Sequence, residues 1–301
     1  MSSDKNEVTL IADLSHLLIP FGGKRLPNGD LMTIMQPLGP LLYSASKLFS
    51  LWRQIGTLAT LQSLLFRLGR FLSTRWTAKL RFHPRLAKHA LTARLHGSSD
   101  LDVFRQIFIE QEYSPLRDLE NVSLVLDLGA NVGYSSAYFL SCFPNSRLIA
   151  VEPDKSNEVV CRNNLEPYGD RAHLLHGAVW ATPTKLCLSS KTFGDGREWA
   201  TQVFQPTDGC AGNIQAWDVS SLIEMAGTEK VDLLKVDIER SEIAVFGESA
   251  QKWLPRIRNI CIELHGTDCE ETFFKALTTF DYELEYSGEL TICKNIQMKG
   301  E

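Results

Sequence analysis

Five ionisable residues in two apolar segments carry the strongest chemical signal in this 301-residue chain. Lys235, Asp237 and Glu239 alternate in Val231-Asp-Leu-Leu-Lys-Val-Asp-Ile-Glu239, and Glu263 and His265 alternate in Ile260-Cys-Ile-Glu-Leu-His265. On an extended strand, alternate residues share a face. Three charges on one face of a strand otherwise fit for burial are costly unless paired or used. A histidine, with its near-neutral ordinary pKa, suits the removal of a proton from a hydroxyl. Asp237 is the rival base. The oxygens of Asp237, Glu239 and Glu263 would suit Mg²⁺. The plain alternative is an ion-pair network with no metal and no chemistry.

A second group lies upstream. Val122 to Leu128 is an apolar, β-branched run, long enough for one buried strand. It breaks into Gly129-Ala-Asn-Val-Gly133 and resumes as a helix, Tyr134 to Phe143. A strand that turns through glycines into a helix N-terminus forms a phosphate- or nucleoside-binding corner. A further apolar strand, Arg147 to Asp154, ends in acids, and Glu152 lies 19 residues after Gly133. That is about the distance at which an open α/β sheet sets a carboxylate beside ribose hydroxyls. A nicotinamide dinucleotide is the competing ligand, for an oxidoreductase. Its fingerprint needs Gly-x-Gly-x-x-Gly; counted from Gly129, the second and third glycines are replaced by Asn131 and Tyr134.

Taken with Asp127 ahead of the first glycine, Asp127-Leu-Gly-Ala-Asn-Val-Gly133 resembles the first motif of Rossmann-like methyltransferases, and Val151-Glu-Pro-Asp154 resembles their second. Ser98 to Phe108, Gly177-Ala-Val-Trp180, Val231 to Glu239 and Ile262-Glu-Leu-His265 follow in an order similar to the FkbM family of methyltransferases. The resemblance covers Ser98 to Cys293. It implies a doubly wound, mostly parallel α/β sheet and S-adenosylmethionine as cofactor. The cofactor residues it implies are Asp127, Gly129, Ala130, Asn131, Gly133, Ser135, Glu152 and Pro153, with Gly177, Ala178 and Val179 near the adenine. It also implies methyl transfer to a hydroxyl of a sugar, glycolipid or natural product, for which Asp237, His265, Glu239 and Lys235 are the candidate catalytic residues read from the strands. One departure is Glu239-Arg-Ser-Glu242, where the family usually has Glu-Gly-Ala-Glu. An arginine forced to positive φ at position 240 costs about 1 kcal/mol or more, and Arg240 would either narrow the acceptor pocket or pair with an acid. A cofactor-binding scaffold without catalysis is the reading this departure supports.

The elements that position these residues follow from periodicity. A helix over Asp100–Gln111 leads to the central strand; the resemblance implies that Arg105 and Tyr113 close over the cofactor, and the plain alternative is that Phe104, Ile107 and Phe108 only form an apolar face. A helix over 157–165 and a third strand over 171–176 follow Glu152. His173 and His176 fall on opposite faces of that strand and read as structural or exposed, not as a ligand pair. Residues 184–217 hold short strand runs separated by Gly194-Asp-Gly196 and Pro206-Thr-Asp-Gly209, a β-hairpin insertion at the sheet rim. Arg197 and Trp199 are candidate acceptor-lid residues, with hairpin packing the alternative for Trp199. Asp218 starts a short helix.

The composition, 44% hydrophobic and 22% charged, is that of a globular protein with material for a core. The seven cysteines, without a Cys-x-x-Cys pair, read as reduced thiols in the cytoplasm and not as disulfides or a zinc site. No signal peptide or membrane-spanning run is read in the sequence. The net charge of −5 divides unevenly: residues 1–99 carry +9 and the other 202 carry −14. Residues 1–98 therefore read as a basic, mainly helical accessory segment and 99–301 as the methyltransferase domain. Helices over 41–53 and 55–80 are expected, the second with a leucine stripe from Leu58 to Leu72. The stripe packs on the domain or on a second copy in a homodimer; the rival use, for the basic residues of 41–94, is peripheral contact with a membrane. No nucleic-acid module is read here.

Overall fold

A computed structural model describes residues 79–94, 98–189, 202–207 and 210–300, with positions 49, 52, 53, 57 and 60 before them. Every described residue belongs to one compact unit within residues 43–301. The expected loop region over 1–36 and most of the two expected N-terminal helices lie outside the described residues. The end of the second is corrected. Lys79–Phe82 is a strand (β1), paired antiparallel with Leu91–Arg94 (β2). Alternation explains the change: Leu80 and Phe82 are buried while Lys79 and Arg81 are exposed. Leu80, Phe82, Leu91 and Ala93 join the same core as Phe104 and Phe108.

The main sheet has seven strands. In chain order they are Leu124–Leu128 (β3), Arg147–Glu152 (β4), Ala172–His176 (β5), Leu233–Val236 (β10), Ile260–Glu263 (β11), Phe280–Ser287 (β12) and Leu290–Met298 (β13). Their order in space is β12-β13-β11-β10-β3-β4-β5. The five from β11 to β5 are parallel, and β13 and β12 close one edge antiparallel. From β3 the chain winds outward through β4 and β5, then returns to β10 on the other side. This is a Rossmann-like doubly wound sheet, and the strand order reverses between β3 and β10. Ligands in such sheets sit beyond the strand C-termini at that crevice.

Helices cover the sheet. Asp100–Phe104 (α1) continues as a π-helical turn over Arg105–Glu110, and Gln111 ends it at φ +57°. Tyr134–Cys142 (α2) is almost wholly buried, as its run of aromatic and small residues requires. Lys155–Leu165 (α3) is capped by Asp154, whose carboxylate accepts from the Ser156 and Asn157 amides. Val219–Met225 (α4) is capped by Asp218 as expected. Glu242–Val245 (α5) and Thr267–Ala276 (α6) pack near each other beyond β10 and β11.

The insertion forms a small separate sheet, β6-β9-β7-β8. Its strands are Ala178–Val179 (β6), Thr184–Leu188 (β7), Val203–Phe204 (β8) and Ile214–Trp217 (β9). Arg197 and Trp199 lie outside the described residues. Cys187 and Cys210 are joined by a disulfide across this insertion. This corrects the expectation of seven free thiols. The sequence gives no Cys-x-x-Cys cue because the partners stand 23 residues apart and meet only when the hairpin folds. Cys142, Cys161, Cys261, Cys269 and Cys293 are free.

Candidate active site

A cavity of about 510 Å³ opens at the β3/β10 crevice. One end is the glycine corner. Gly129 and Ala130 donate their amides to the Val151 carbonyl at 2.9 and 3.0 Å, which ties the turn after β3 to β4. Gly129 has φ +80°, and a Cβ there would lie 1.7 Å from the Asp237 carbonyl oxygen. No side chain fits, so the turn after β3 and the end of β10 touch backbone to backbone. Gly133, at φ +81°, would put a Cβ 2.8 Å from Cys161 Sγ. Its need is close packing of α2 on α3.

Among the expected cofactor residues, Gly129, Ala130, Asn131, Ser135, Glu152, Pro153, Gly177, Ala178 and Val179 line the cavity. Asp127 and Gly133 do not. Asp127 is buried beneath the corner, where Oδ2 accepts from Ser135 Oγ at 2.7 Å and Ser136 Oγ at 2.6 Å. Oδ1 lies 3.2 Å from Lys235 Nζ. Asp127 thus holds the first turn of α2 and pairs with a buried cation.

Glu152 is buried, and both its oxygens are engaged. Oε2 accepts the Asn131 amide at 2.7 Å; Oε1 accepts the Asp154 amide at 2.9 Å and Asn157 Nδ2 at 3.3 Å. Two oxygens offer about four lone-pair sites, so acceptor capacity remains toward the cavity. Burial pushes the Glu152 carboxyl up to about 7, against the lowering effect of those donors. The helix cap is Asp154 and not Glu152.

The other end of the cavity is acidic. Asp237, Glu239, Glu263, His265, Glu112 and Glu289 line it. The strand β10 stops at Val236, one residue before Asp237. Glu239 therefore arrives by a turn, with Glu239 at φ +50° and Arg240 at φ +74°, and not by the alternation expected along one strand face. His265 Nδ1 lies 2.9 Å from Glu242 Oε1. His265 Nε2 faces Glu263 Oε1 at 3.5 Å, Glu239 Oε2 at 3.6 Å and Asp237 Oδ1 at 3.8 Å. Burial opposes charge on this imidazole, but the surrounding carboxylates outweigh it and push it up to about 11. Burial also pushes Asp237 up to about 6 and Glu239 up to about 7, with Lys235 and His265 respectively opposing.

Lys235 is 3% exposed and donates to the Gly129 carbonyl at 2.6 Å. Burial opposes its charge, yet Asp127 and Asp237 push its pKa above that of an ordinary lysine. Its ammonium links Asp127, the glycine corner and Asp237 Oδ2, 3.6 Å away. Arg240 is not in the cavity wall. Its guanidinium turns outward to the Asp268 carboxylate and the His265 carbonyl. It pairs with an acid and does not narrow the pocket.

Arg105 and Tyr113 both line the cavity. Arg105 reaches Glu110 at 3.7 Å, and Tyr113 packs on Tyr138 and Phe139. Ser241, Glu242, Glu112 and Glu289 are the additions that the sequence did not single out. Glu242 and Ser241 stand inside the quoted Glu239–Glu242 motif, so a signal existed for them. Glu112 and Glu289 come from a helix end and a hairpin tip, and nothing local marks them. Burial, Glu289 and Glu110 push Glu112 up to about 7.

The sequence profile of the family described as "Methyltransferase FkbM domain" matches residues 127–287. The chain is also 24% identical over 235 residues to the AMB antimetabolite synthetase AmbE of Pseudomonas aeruginosa, covering 66% of this chain and 11% of that protein. It is 26% identical over 161 residues to the 2-O-methyltransferase NoeI of Sinorhizobium fredii, covering 49% of this chain and 65% of that one. The chain thus spans less than two-thirds of either relative. Among solved structures, precorrin-6y C5,15-methyltransferase from Geobacter metallireducens is similar with a TM-score of 0.36 at 12% identity, over 62% of this chain and 86% of that one.

Proposed function

The chain belongs to the FkbM family of methyltransferases, and on that premise we propose that it methylates a hydroxyl of a sugar, glycolipid or natural product. Membership implies S-adenosylmethionine as the methyl donor. The observation that carries the finer reading is the two-ended cavity, with the glycine corner and Glu152 at one end and Asp237, Glu239, Glu263 and His265 at the other. The similarity to a relative named 2-O-methyltransferase supports oxygen as the methylated atom.

The residues divide the work by position. Glu152 accepts the two ribose hydroxyls, and Gly129 to Asn131 lie along the nucleoside. Buried Asn131 Oδ1 has no hydrogen-bond partner and gives a free acceptor beside them. Gly177 to Val179 bound the adenine. When bound, the cofactor supplies a sulfonium methyl: the acceptor oxygen forms the new O–C bond as C–S breaks, leaving S-adenosylhomocysteine. The acceptor proton passes to Asp237, whose backbone packs against Gly129 and whose Oδ1 faces His265. Lys235 fixes Asp237 against the corner and is a positioning residue. Glu239, Glu263 and His265 hold the acceptor hydroxyl. Proximity then does much of the chemistry, because a held acceptor avoids the entropy of encounter.

The scaffold reading rested on Arg240, which turns away from the cavity and lends it no support. The test is Asp237→Asn. Transfer of labelled methyl to a hydroxyl-bearing saccharide fraction should fall by roughly 10²–10⁴-fold, with cofactor affinity retained. Undiminished transfer would remove Asp237 from the reaction.

A further inference from the structure

The imidazole of His265 faces three of its four carboxylate neighbours at distances longer than direct hydrogen bonds. Its Nδ1 is 2.9 Å from Glu242 Oε1, and Glu242 is wholly buried. The same Glu242 carboxylate lies 3.4 Å from the Ile238 amide and 3.5 Å from Cys269 Sγ, so it is fixed from three sides. With Nδ1 donating to Glu242, Nε2 turns toward three further carboxylate oxygens, at 3.5, 3.6 and 3.8 Å. A charge-assisted hydrogen bond to a carboxylate is about 2.7–2.9 Å. All three contacts are too long for one.

They are the right length for something else. Two ligand atoms bound about 2.0–2.2 Å from one cation stand roughly 3.0–4.2 Å apart, depending on the angle between them. One ligand atom each from Asp237, Glu239 and His265 lies within 4.8 Å of the other two. Asp237 also divides its oxygens suitably. Oδ2 faces Lys235 at 3.6 Å, and Oδ1 faces His265. A metal-bound histidine usually donates its second nitrogen to a carboxylate, which is the part Glu242 plays. A further sign comes from Ser241, which lines the same cavity, is 2% exposed as a residue, and has a buried hydroxyl with no hydrogen-bond partner.

We propose that Asp237, Glu239 and His265 bind a first-row divalent cation at the acceptor end of the cavity, with Glu242 fixing the imidazole. The nitrogen donor shifts the choice away from the Mg²⁺ expected for an all-oxygen set, and toward Mn²⁺, Fe²⁺ or Zn²⁺. His265 takes the place that the sequence reading gave to Glu263. Three protein ligands would leave coordination positions open for the acceptor hydroxyl. A cation there would polarise the acceptor oxygen and make its proton easier to lose, and Glu239 and His265 would then hold the acceptor hydroxyl through the metal. The substrate role rests on the proposed methyl transfer; the binding site does not.

The probe is Mn²⁺ alone, added to the full chain without cofactor and followed by the loss of the free-ion electron paramagnetic resonance signal. The expected result is saturable uptake of one ion per chain. His265→Gln and Asp237→Asn should each weaken it at least about tenfold, and Glu242→Gln by roughly 10–100-fold, the usual effect of losing an outer-shell partner. S-adenosylmethionine titrated into the same variants reports whether the pocket has survived. No saturable uptake by the wild-type chain at millimolar Mn²⁺ would overturn the proposal. So would unchanged uptake in both ligand variants. Methyl transfer that persists in EDTA, with no uptake, would sink the cation and leave the transferase reading standing. Uptake without any cofactor binding would do the reverse.

Discussion

Replacing Glu152 with glutamine tests the cofactor end with an isosteric change. Glu152 is 4% exposed, and every group hydrogen-bonded to it is a donor: the Asn131 amide at 2.7 Å, the Asp154 amide at 2.9 Å and Asn157 Nδ2 at 3.3 Å. A glutamine NH₂ placed on either side therefore meets an N–H. One buried donor loses its partner, and the ribose loses a charged acceptor. A hydrogen bond to a charged group contributes about 1.5–3 kcal/mol. Cofactor affinity should fall roughly 10–100-fold at pH 8. The pH dependence separates this from general damage. Burial raises the Glu152 carboxyl to about 7, so the free protein holds a proton there below that pH. Binding through the ionised form must release the proton. Wild-type affinity should be full above pH 7 and should fall as pH drops through it, about tenfold per unit at the limit. The glutamine variant should be flat over the same window. The linked stability has the opposite sense. Because the folded pKa is raised from its ordinary 4.5, this group favours the folded state below about 4.5, and that contribution is lost as pH rises through 7. Isothermal titration with S-adenosylmethionine at pH 6, 7 and 8 measures the binding side. Affinity within twofold of wild type at pH 8, with an unchanged pH slope, would refute the assignment.

Lys235→Met should leave the Asp127 and Asp237 carboxylates without their shared cation. Removing one partner of a buried pair costs about 3–5 kcal/mol, and thermal denaturation should show a large fall in Tm; an unchanged Tm would contradict the buried network. Arg240→Gly should relieve a left-handed backbone worth about 1 kcal/mol while losing a half-exposed pair worth no more than about 1 kcal/mol. Its Tm should therefore stay within a few degrees of wild type, and its transfer rate should be unchanged; a tenfold loss of rate would place Arg240 in the acceptor pocket after all. Thiol titration of the denatured, unreduced protein should find five free cysteines, Cys142, Cys161, Cys261, Cys269 and Cys293. Seven free thiols would deny the Cys187–Cys210 bond.

Much of this site was legible because its residues sit on strand ends that apolar runs announce. Leu124–Leu128 and Arg147–Glu152 are continuous buried strands, and the glycine corner and Glu152 follow from them. Lys235 and Glu263 were legible for the same reason. Glu239 was placed on the right wall for the wrong reason, since two positive-φ residues and not a β pleat bring it there. Asp127 and Gly133 show a limit of motif reading: a residue type required beside a ligand can be required for what it supports underneath. Glu112 and Glu289 were not legible because tertiary folding alone brings a helix end and a hairpin tip to the cavity. The strand at Lys79–Phe82 escaped because four alternating residues directly after a helical stripe carry little periodic signal. Among the described residues, no helix is long and apolar enough to cross a membrane. The uses expected for the basic N-terminal segment, at a membrane or a dimer interface, remain proposals.

The central claim, methyl transfer to a hydroxyl, is tested most directly with methyl-labelled S-adenosylmethionine. The full chain would be incubated with saccharide, lipid and small-metabolite fractions of its source cells, with wild type and Asp237→Asn run side by side. Label should pass to an alkali-stable methyl ether in one fraction, with wild type at least about a hundredfold faster. Label that stays wholly on the cofactor, although the cofactor binds, would contradict the account.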